Sequence, residues 1–161
     1  MAKVISIIMG SPSDLETLKE AIDLLKGFSV GFEVKVLSAH RSPKELAAYL
    51  EAAPKRGAKV FIAAAGGAAA LAGVIASHTI LPVIGIPIET KSLKGLDSLL
   101  STVQMPAGIP VATMAVGKAG AKNAAIFALE ILGINDKSIQ SKLSAYKKNM
   151  AVVLRKIKIK V

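Results

Sequence analysis

His40 and Arg41 stand side by side in Ser38-Ala39-His40-Arg41-Ser42-Pro43, directly after the apolar run Phe32 to Leu37. An imidazole carries protons near neutral pH, and a guanidinium offers the two-pronged fork that suits a phosphate. A second polar segment, Gly10-Ser11-Pro12-Ser13-Asp14, follows the apolar run Val4 to Met9. It opens a helix, where free backbone amides and the Ser11 and Ser13 hydroxyls favour an anion. The plainer reading is a helix cap by Ser13 or Asp14, and Ser42 before Pro43 likewise has the form of a cap. A cap does not call for His-Arg, however. Together the two segments read as a site for a phosphorylated small molecule.

A third segment, Gly66-Gly67-Ala68-Ala69-Ala70-Leu71-Ala72-Gly73, lets the backbone approach a planar ligand but brings no functional side chain. It fits neither the dinucleotide pattern G-x-G-x-x-G nor the phosphate loop G-x-x-x-x-G-K-[ST]. Gly117-Lys118-Ala119-Gly120-Ala121-Lys122-Asn123 also fails the second pattern, so a nucleoside triphosphatase is not expected. His78 falls near a helix end, where an imidazole can meet the last carbonyls. There are no cysteines among the 161 residues, which removes disulfides, thiolate nucleophiles and cysteine-ligated metals. Two histidines alone do not suggest a metal site.

Apolar runs that read as buried strands alternate with amphipathic helical stretches. Strands are expected over Val4 to Met9, Phe32 to Leu37, Lys59 to Ala65, Pro82 to Ile86 and Val111 to Val116. Helices are expected from Leu15 until Gly27 closes the first, from Pro43 to about Arg56-Gly57, from about Ala68 to His78, and from Ala119 to Leu132. A short helix running into a Pro/Gly loop is expected between Gly95 and Pro106. This order predicts a three-layer α/β/α fold with a doubly wound parallel sheet. In such a sheet ligands bind beyond the carboxyl ends of the strands, which is where the three segments fall.

The net charge of +10 is a property of the tail. Residues 1 to 136 hold 13 basic against 11 acidic residues, whereas 137 to 161 hold 8 basic and none acidic. Ile139, Leu143, Tyr146, Met150, Val153, Leu154 and Ile157 form an apolar stripe in that tail at helical spacing. The division expected is a catalytic α/β domain over 1–135 and a basic amphipathic helix over 136–161, packing on the domain or on a neighbouring subunit. The tail lacks the interleaved aromatics of a single-strand binder, so nucleic acid is not the expected partner. Neither a signal peptide nor a spanning helix is read, and a soluble cytoplasmic protein is expected.

Taken in order, MGSPSD, SAHRSP, AGGAAALAG, LPVIGIPI, GLDSLLSTVQMP, GIPVAT and GKAGAKNAA resemble the PurE family, the N5-carboxyaminoimidazole ribonucleotide mutases of purine biosynthesis. The resemblance runs from about Val4 to Gly133, and LDSLLSTVQMP resembles the mutase class rather than the direct carboxylases. It implies a flavodoxin-like fold, a homo-octamer with sites where subunits meet, a ribonucleotide substrate, and no metal or other cofactor. By the same resemblance His40 transfers the proton and Ser11, Asp14 and Arg41 bind the ribose phosphate. Ser13, Ser38, Ala39, Gly66, Gly67 and Leu71 line the pocket, with Met105 and Pro106 as candidates to close it. A direct carboxylase and a noncatalytic phospho-ligand module are the alternatives. The chain departs from the family pattern at Ala70 and Ala72, where histidine and proline are usual.

Overall fold

The computed structural model describes residues 2–159. Five strands, β1 (Ile5–Met9), β2 (Phe32–Val36), β3 (Val60–Ala65), β4 (Val83–Pro87) and β5 (Ala112–Thr113), form one sheet in the order β2-β1-β3-β4-β5. Every pairing is parallel, from Ile5 opposite Phe32 and Val60 to Gly85 opposite Thr113. This is the flavodoxin-like order, in which the chain reverses its direction across the sheet at β1 and β3. Among the described residues no helix is long and apolar enough to cross a membrane.

The interleaved helices are α1 (Leu15–Phe28), α2 (Pro43–Ala52), α3 (Leu71–His78), α4 (Leu96–Val103), α5 (Lys118–Gly133) and α6 (Lys137–Lys156). β1, β3 and β4 are apolar almost throughout and almost wholly buried, as strands covered on both faces must be. Ile8, Phe61 and Ala63 pack with Leu46 and Leu50 of α2 and with Leu71 and Ile75 of α3 on one face. Right-handed crossovers place α1 against the other, and its Leu18, Ala21 and Leu25 are buried. α4 seats tightly on β4. A side chain at Gly85 would meet the Thr102 methyl at 2.4 Å, so glycine is what admits the helix there.

Near the amino end of β1, away from the cavity side of the sheet, the buried Ser6 hydroxyl bonds to the Tyr49 hydroxyl, which donates in turn to Glu33 Oε1 at 2.8 Å. Arg56 Nη2 reaches the same oxygen at 3.1 Å while its guanidinium lies 5.1 Å from the Tyr49 ring centre. Lys3 approaches the other carboxylate oxygen at 3.7 Å.

Several elements depart from the expected bounds. Helix α1 does not close at Gly27; it runs to Phe28, and Ser29 takes the left-handed turn at φ 56°. α2 ends at Ala52 and a separate 3-10 turn, Pro54–Arg56, follows because proline cannot extend the helical hydrogen bonds. α3 starts at Leu71, later than expected, since Gly67 and Ala69 both have positive φ. β5 is only two residues long at the sheet edge, far short of Val111 to Val116. Beyond it, the pairing thins to Met114 N–H on Gly85 O and Gly117 N–H on Pro87 O.

The chain divides into two compact units, one up to Ala128 and one from Leu129 onward, with the boundary inside α5. The first holds the sheet. In the second, α6 is capped by Asp136, whose carboxylate accepts from Ser138 and Ile139 amides. Ile139 and Leu143 are buried there, whereas Met150, Val153, Leu154 and Ile157 are exposed. The expected tail extends past α6, and residues 160 and 161 lie outside the described residues.

Candidate active site

The loops after β1, β2 and β3 enclose a cavity of about 320 Å³ at the carboxyl edge of the sheet. It is lined by Ser11 and Asp14 from the first loop, by Ser38, Ala39, His40 and Arg41 from the second, and by Gly66 and Leu71 at the third. Parallel neighbours bring these loops together, because β1 lies between β2 and β3 and all three end on the same side. Ser13 and Gly67, expected in the lining, stand outside it. Met105 and Pro106 do not close the cavity either. The Met105 sulfur packs against Gly73 in α3 instead, at 3.1 Å from where a side chain would start. Gly10, Ala65 and Ala69 contribute without having been singled out, because their part is played by backbone and methyl groups.

The first loop is built on a reciprocal bond. Ser11 Oγ accepts from the Ser13 amide at 3.4 Å, and Asp14 Oδ2 accepts from the Ser11 amide at 3.2 Å. Ser11 is therefore the cap of the 3-10 turn Pro12–Asp14, rather than Ser13 or Asp14. Ser13 Oγ donates to Ser11 Oγ at 2.8 Å and reaches Asp14 Oδ1 at 3.3 Å, which holds the other two in place. Asp14 is buried at the cavity wall. Burial pushes its carboxyl above the usual aspartate value; the Ser11 amide, the Ser13 hydroxyl and the Arg41 charge oppose that rise without cancelling it.

In the second loop Ser42 does not cap α2. Its hydroxyl turns back, accepting from the Ser38 amide at 2.9 Å and donating to the Ser38 carbonyl at 3.2 Å. Ser38 Oγ accepts from the Arg41 amide at 3.2 Å, so the turn is closed by serine hydroxyls. Arg41 Nη2 donates to the Gly10 carbonyl at 2.5 Å. His40 is exposed at the cavity rim, and no hydrogen bond to its ring is found among the described residues. His78 lies elsewhere, its Nδ1 2.9 Å from the Val74 carbonyl inside its own helix.

The third loop runs from Gly66 to Ala70, and Ala70 opens α3 with its methyl at the cavity. Ala72 is buried in the core and is not part of the lining. Hydroxyls, a carboxylate, an imidazole and a guanidinium thus face a wall of alanine and glycine. Such a cavity can grip a phosphorylated ligand at one end and hold a small apolar species at the other.

The sequence model of AIR carboxylase matches residues 4–152 of this chain. The chain belongs to the AIR carboxylase family. Members of this family include a Vibrio parahaemolyticus protein named N5-carboxyaminoimidazole ribonucleotide mutase, 55% identical over 143 residues that make up 89% of each chain. Relatives of the same name from Pyrococcus abyssi and Bacillus subtilis are 58% and 52% identical, covering 91% and 92% of this chain and 83% and 92% of theirs. The crystal structure of Treponema denticola PurE matches with a TM-score of 0.85 at 27% identity, over 93% of this chain and 92% of that one. Among the described residues no group of three or more His, Asp and Glu is gathered as a metal site.

Proposed function

We propose that the chain is an N5-carboxyaminoimidazole ribonucleotide mutase of purine biosynthesis, acting in the cytoplasm. One observation carries the reading: His40, Arg41, Ser11 and Asp14 converge on a single cavity whose remaining wall is alanine and glycine. Relatives more than half identical and bearing that name support the choice of substrate.

In the proposed reaction Arg41, Ser11 and Asp14 hold the ribose phosphate, and His40 in its protonated form gives a proton to the exocyclic nitrogen. The nitrogen–carbon bond breaks, its electron pair stays on nitrogen, and carbon dioxide is released. The ring carbon C4 then attacks carbon dioxide through its enamine electrons, and the proton it sheds returns to His40. One imidazole thus serves as acid and then as base, and it ends as it began. Ala39, Ala69, Ala70 and Gly66 offer carbon dioxide no competing hydrogen bond and confine it beside the ring, so recapture stays effectively unimolecular.

The active form is proposed as a homo-oligomer, an octamer by family resemblance. Two exposed apolar surfaces support association. Helix α4 buries its polar Ser98 and Thr102 and turns Leu96, Leu100 and Val103 to solvent, and the second half of α6 exposes Met150, Val153 and Leu154, with Ile157 just beyond its end.

The family description favours a second reading, direct carboxylation of aminoimidazole ribonucleotide. Supplying the N5-carboxylated ribotide in one assay and the uncarboxylated ribotide with bicarbonate in another, and following the 4-carboxylated product, tests both. Turnover confined to the first supports the mutase. Turnover confined to the second would replace it with the carboxylase, and neither would leave a noncatalytic binding module.

A further inference from the structure

The third loop has no side chain with which to hold its own shape. Its Gly67 has φ 69° and Ala69, an ordinary L residue, has φ 24°, a conformation that does not persist unless neighbours impose it. Within the loop, Ala69 N–H reaches the Gly66 carbonyl only at a long 3.4 Å. Further restraints come from α4, the shorter of them from Ser98. Ser98 Oγ accepts from the Gly67 amide at 2.9 Å, and Ser101 Oγ donates to the Gly67 carbonyl at 3.3 Å. Two serines three positions apart on one helix therefore take both polar groups of the same residue.

Ser98 is completely buried and stands outside the cavity lining. Its own proton goes to the Ile88 carbonyl at 2.7 Å, which leaves a lone pair aimed at Gly67 and settles which way the hydroxyl points. The Ile88 amide in turn donates to the Ala65 carbonyl at 2.9 Å, tying the end of β4 to the end of β3 where the loop begins. α4 is seated on the sheet by the Thr102 methyl over Gly85, while the Thr102 hydroxyl donates within the helix to the Ser98 carbonyl at 2.7 Å. The path from β3 and β4 through Ser98 to the loop is thus continuous in hydrogen bonds.

We propose that Ser98, seconded by Ser101, is a positioning residue for the mutase reaction, holding the Gly67 peptide so that Gly66, Ala69 and Ala70 keep the cavity wall in register with His40. It does not touch the ligand. Removing its hydroxyl takes the partner from the half-buried Gly67 amide and from the Ile88 carbonyl, and frees the loop from α4 at that point. The wall then shifts, while the loops after β1 and β2 that grip the ribose phosphate stay as they are. A misplacement of about 1 Å at a reacting centre costs up to about a hundredfold in rate.

The inference rests on the mutase reading, so the test is built to separate the two. Ser98→Ala is expected to lower kcat at least about tenfold with KM within about threefold, and to speed hydrogen exchange at the Gly67 amide. Thr102→Val is the control, since it removes one buried hydrogen bond from the same helix without touching the loop. It should lower the melting temperature comparably and leave kcat within about threefold. Equal kcat losses in the two variants, or a normal kcat in Ser98→Ala, would overturn the positioning role alone. A parent protein without turnover would overturn the mutase reading, and this role with it. Should Ser98→Ala fail to fold, the exposed Ser101→Ala decides: about threefold in kcat at unchanged KM is expected, and an unchanged kcat overturns the proposal.

Discussion

Arg41 is bound to Gly10: its Nη2 donates to the Gly10 carbonyl at 2.5 Å, across 31 positions of sequence. The residue that best suits a phosphate is thereby anchored to the loop that supplies Ser11 and Asp14, so the two loops present their polar groups as one surface. Arg41→Lys replaces that planar fork with a single point charge. Ribotide affinity is expected to fall about ten- to a hundredfold, the value of one charge-assisted hydrogen bond. Removing the phosphate from the ligand should erase most of the difference between parent and variant. Calorimetric titration of both ligands into both proteins measures it, and an Arg41→Lys protein that still prefers the phosphorylated ligand as strongly as the parent contradicts the assignment.

His40 stands at the rim without a hydrogen bond to its ring among the described residues, so its replacement disturbs little else. His40→Asn should retain ribotide affinity within about tenfold while losing at least about a hundredfold in turnover, the usual contribution of a general acid and base. Near-normal turnover in this variant would remove His40 from the mechanism.

Ala70 opens α3 at the cavity wall, at a position where the resemblance read from the sequence implies a histidine. An absent imidazole there costs at most one charge-assisted hydrogen bond, about 1.5 to 3 kcal/mol, and hence about ten- to a hundredfold in rate. The parent is therefore expected to turn over, and Ala70→His to be neutral or faster in steady-state assays. Loss of turnover on introducing the imidazole would show that the wall is shaped for a methyl group.

Stability at the pH extremes is expected to follow the Glu33, Tyr49 and Arg56 network. Burial alone would raise the Glu33 carboxyl, but the Tyr49 hydroxyl and the Arg56 and Lys3 charges outweigh it and hold it below 4.5. Its contribution is therefore present above pH 4.5 and lost as pH falls through the lower folded value. Burial, with the neighbouring carboxylate, pushes Tyr49 up to about 12, so its contribution is present below pH 10.0 and lost as pH climbs toward 12. Glu33→Gln should melt below the parent at neutral pH, with the gap closing under acid. Tyr49→Phe should flatten the alkaline limb of the same melting curve.

Helix α6 buries Ile139 and Leu143 and exposes Met150, Val153, Leu154 and Ile157. Truncation after Asn135 is expected to lower the mass measured by light scattering, because the apolar half of the stripe is then unavailable to a second copy. An unchanged oligomer that has lost a tight, salt-sensitive affinity for nucleic acid would give the tail the other role.

The strands and the three site loops were legible because buried parallel strands are written as unbroken apolar runs, and because polar residues at their ends have one place to go. Three features were not. The two-residue β5 lies at the sheet edge, where an apolar run such as Val111 to Val116 can be partly buried without extended pairing. α3 starts late because Gly67 and Ala69 adopt positive φ under restraint from α4, which no local propensity records. α4 itself inverts the usual pattern, with serine and threonine inward and leucine and valine outward. Read by hydrophobicity alone, that helix would be turned around and Ser98 would be assigned to solvent.

All residues that line the cavity fall between Gly10 and Leu71, at the ends of three strands that are neighbours in the sheet. The lining of the pocket is therefore encoded in one uninterrupted stretch ahead of position 72, although its parallel strands join through crossovers and Arg41 reaches Gly10 across 31 positions. Ser98 and Ser101, which hold its third wall, come from a later helix. During synthesis from the N-terminus the lining residues emerge first and their brace afterwards. The chain has separated the building of its reaction chamber from the tightening of it, so changes beyond Leu71 can alter how firmly the chamber is held without altering what lines it.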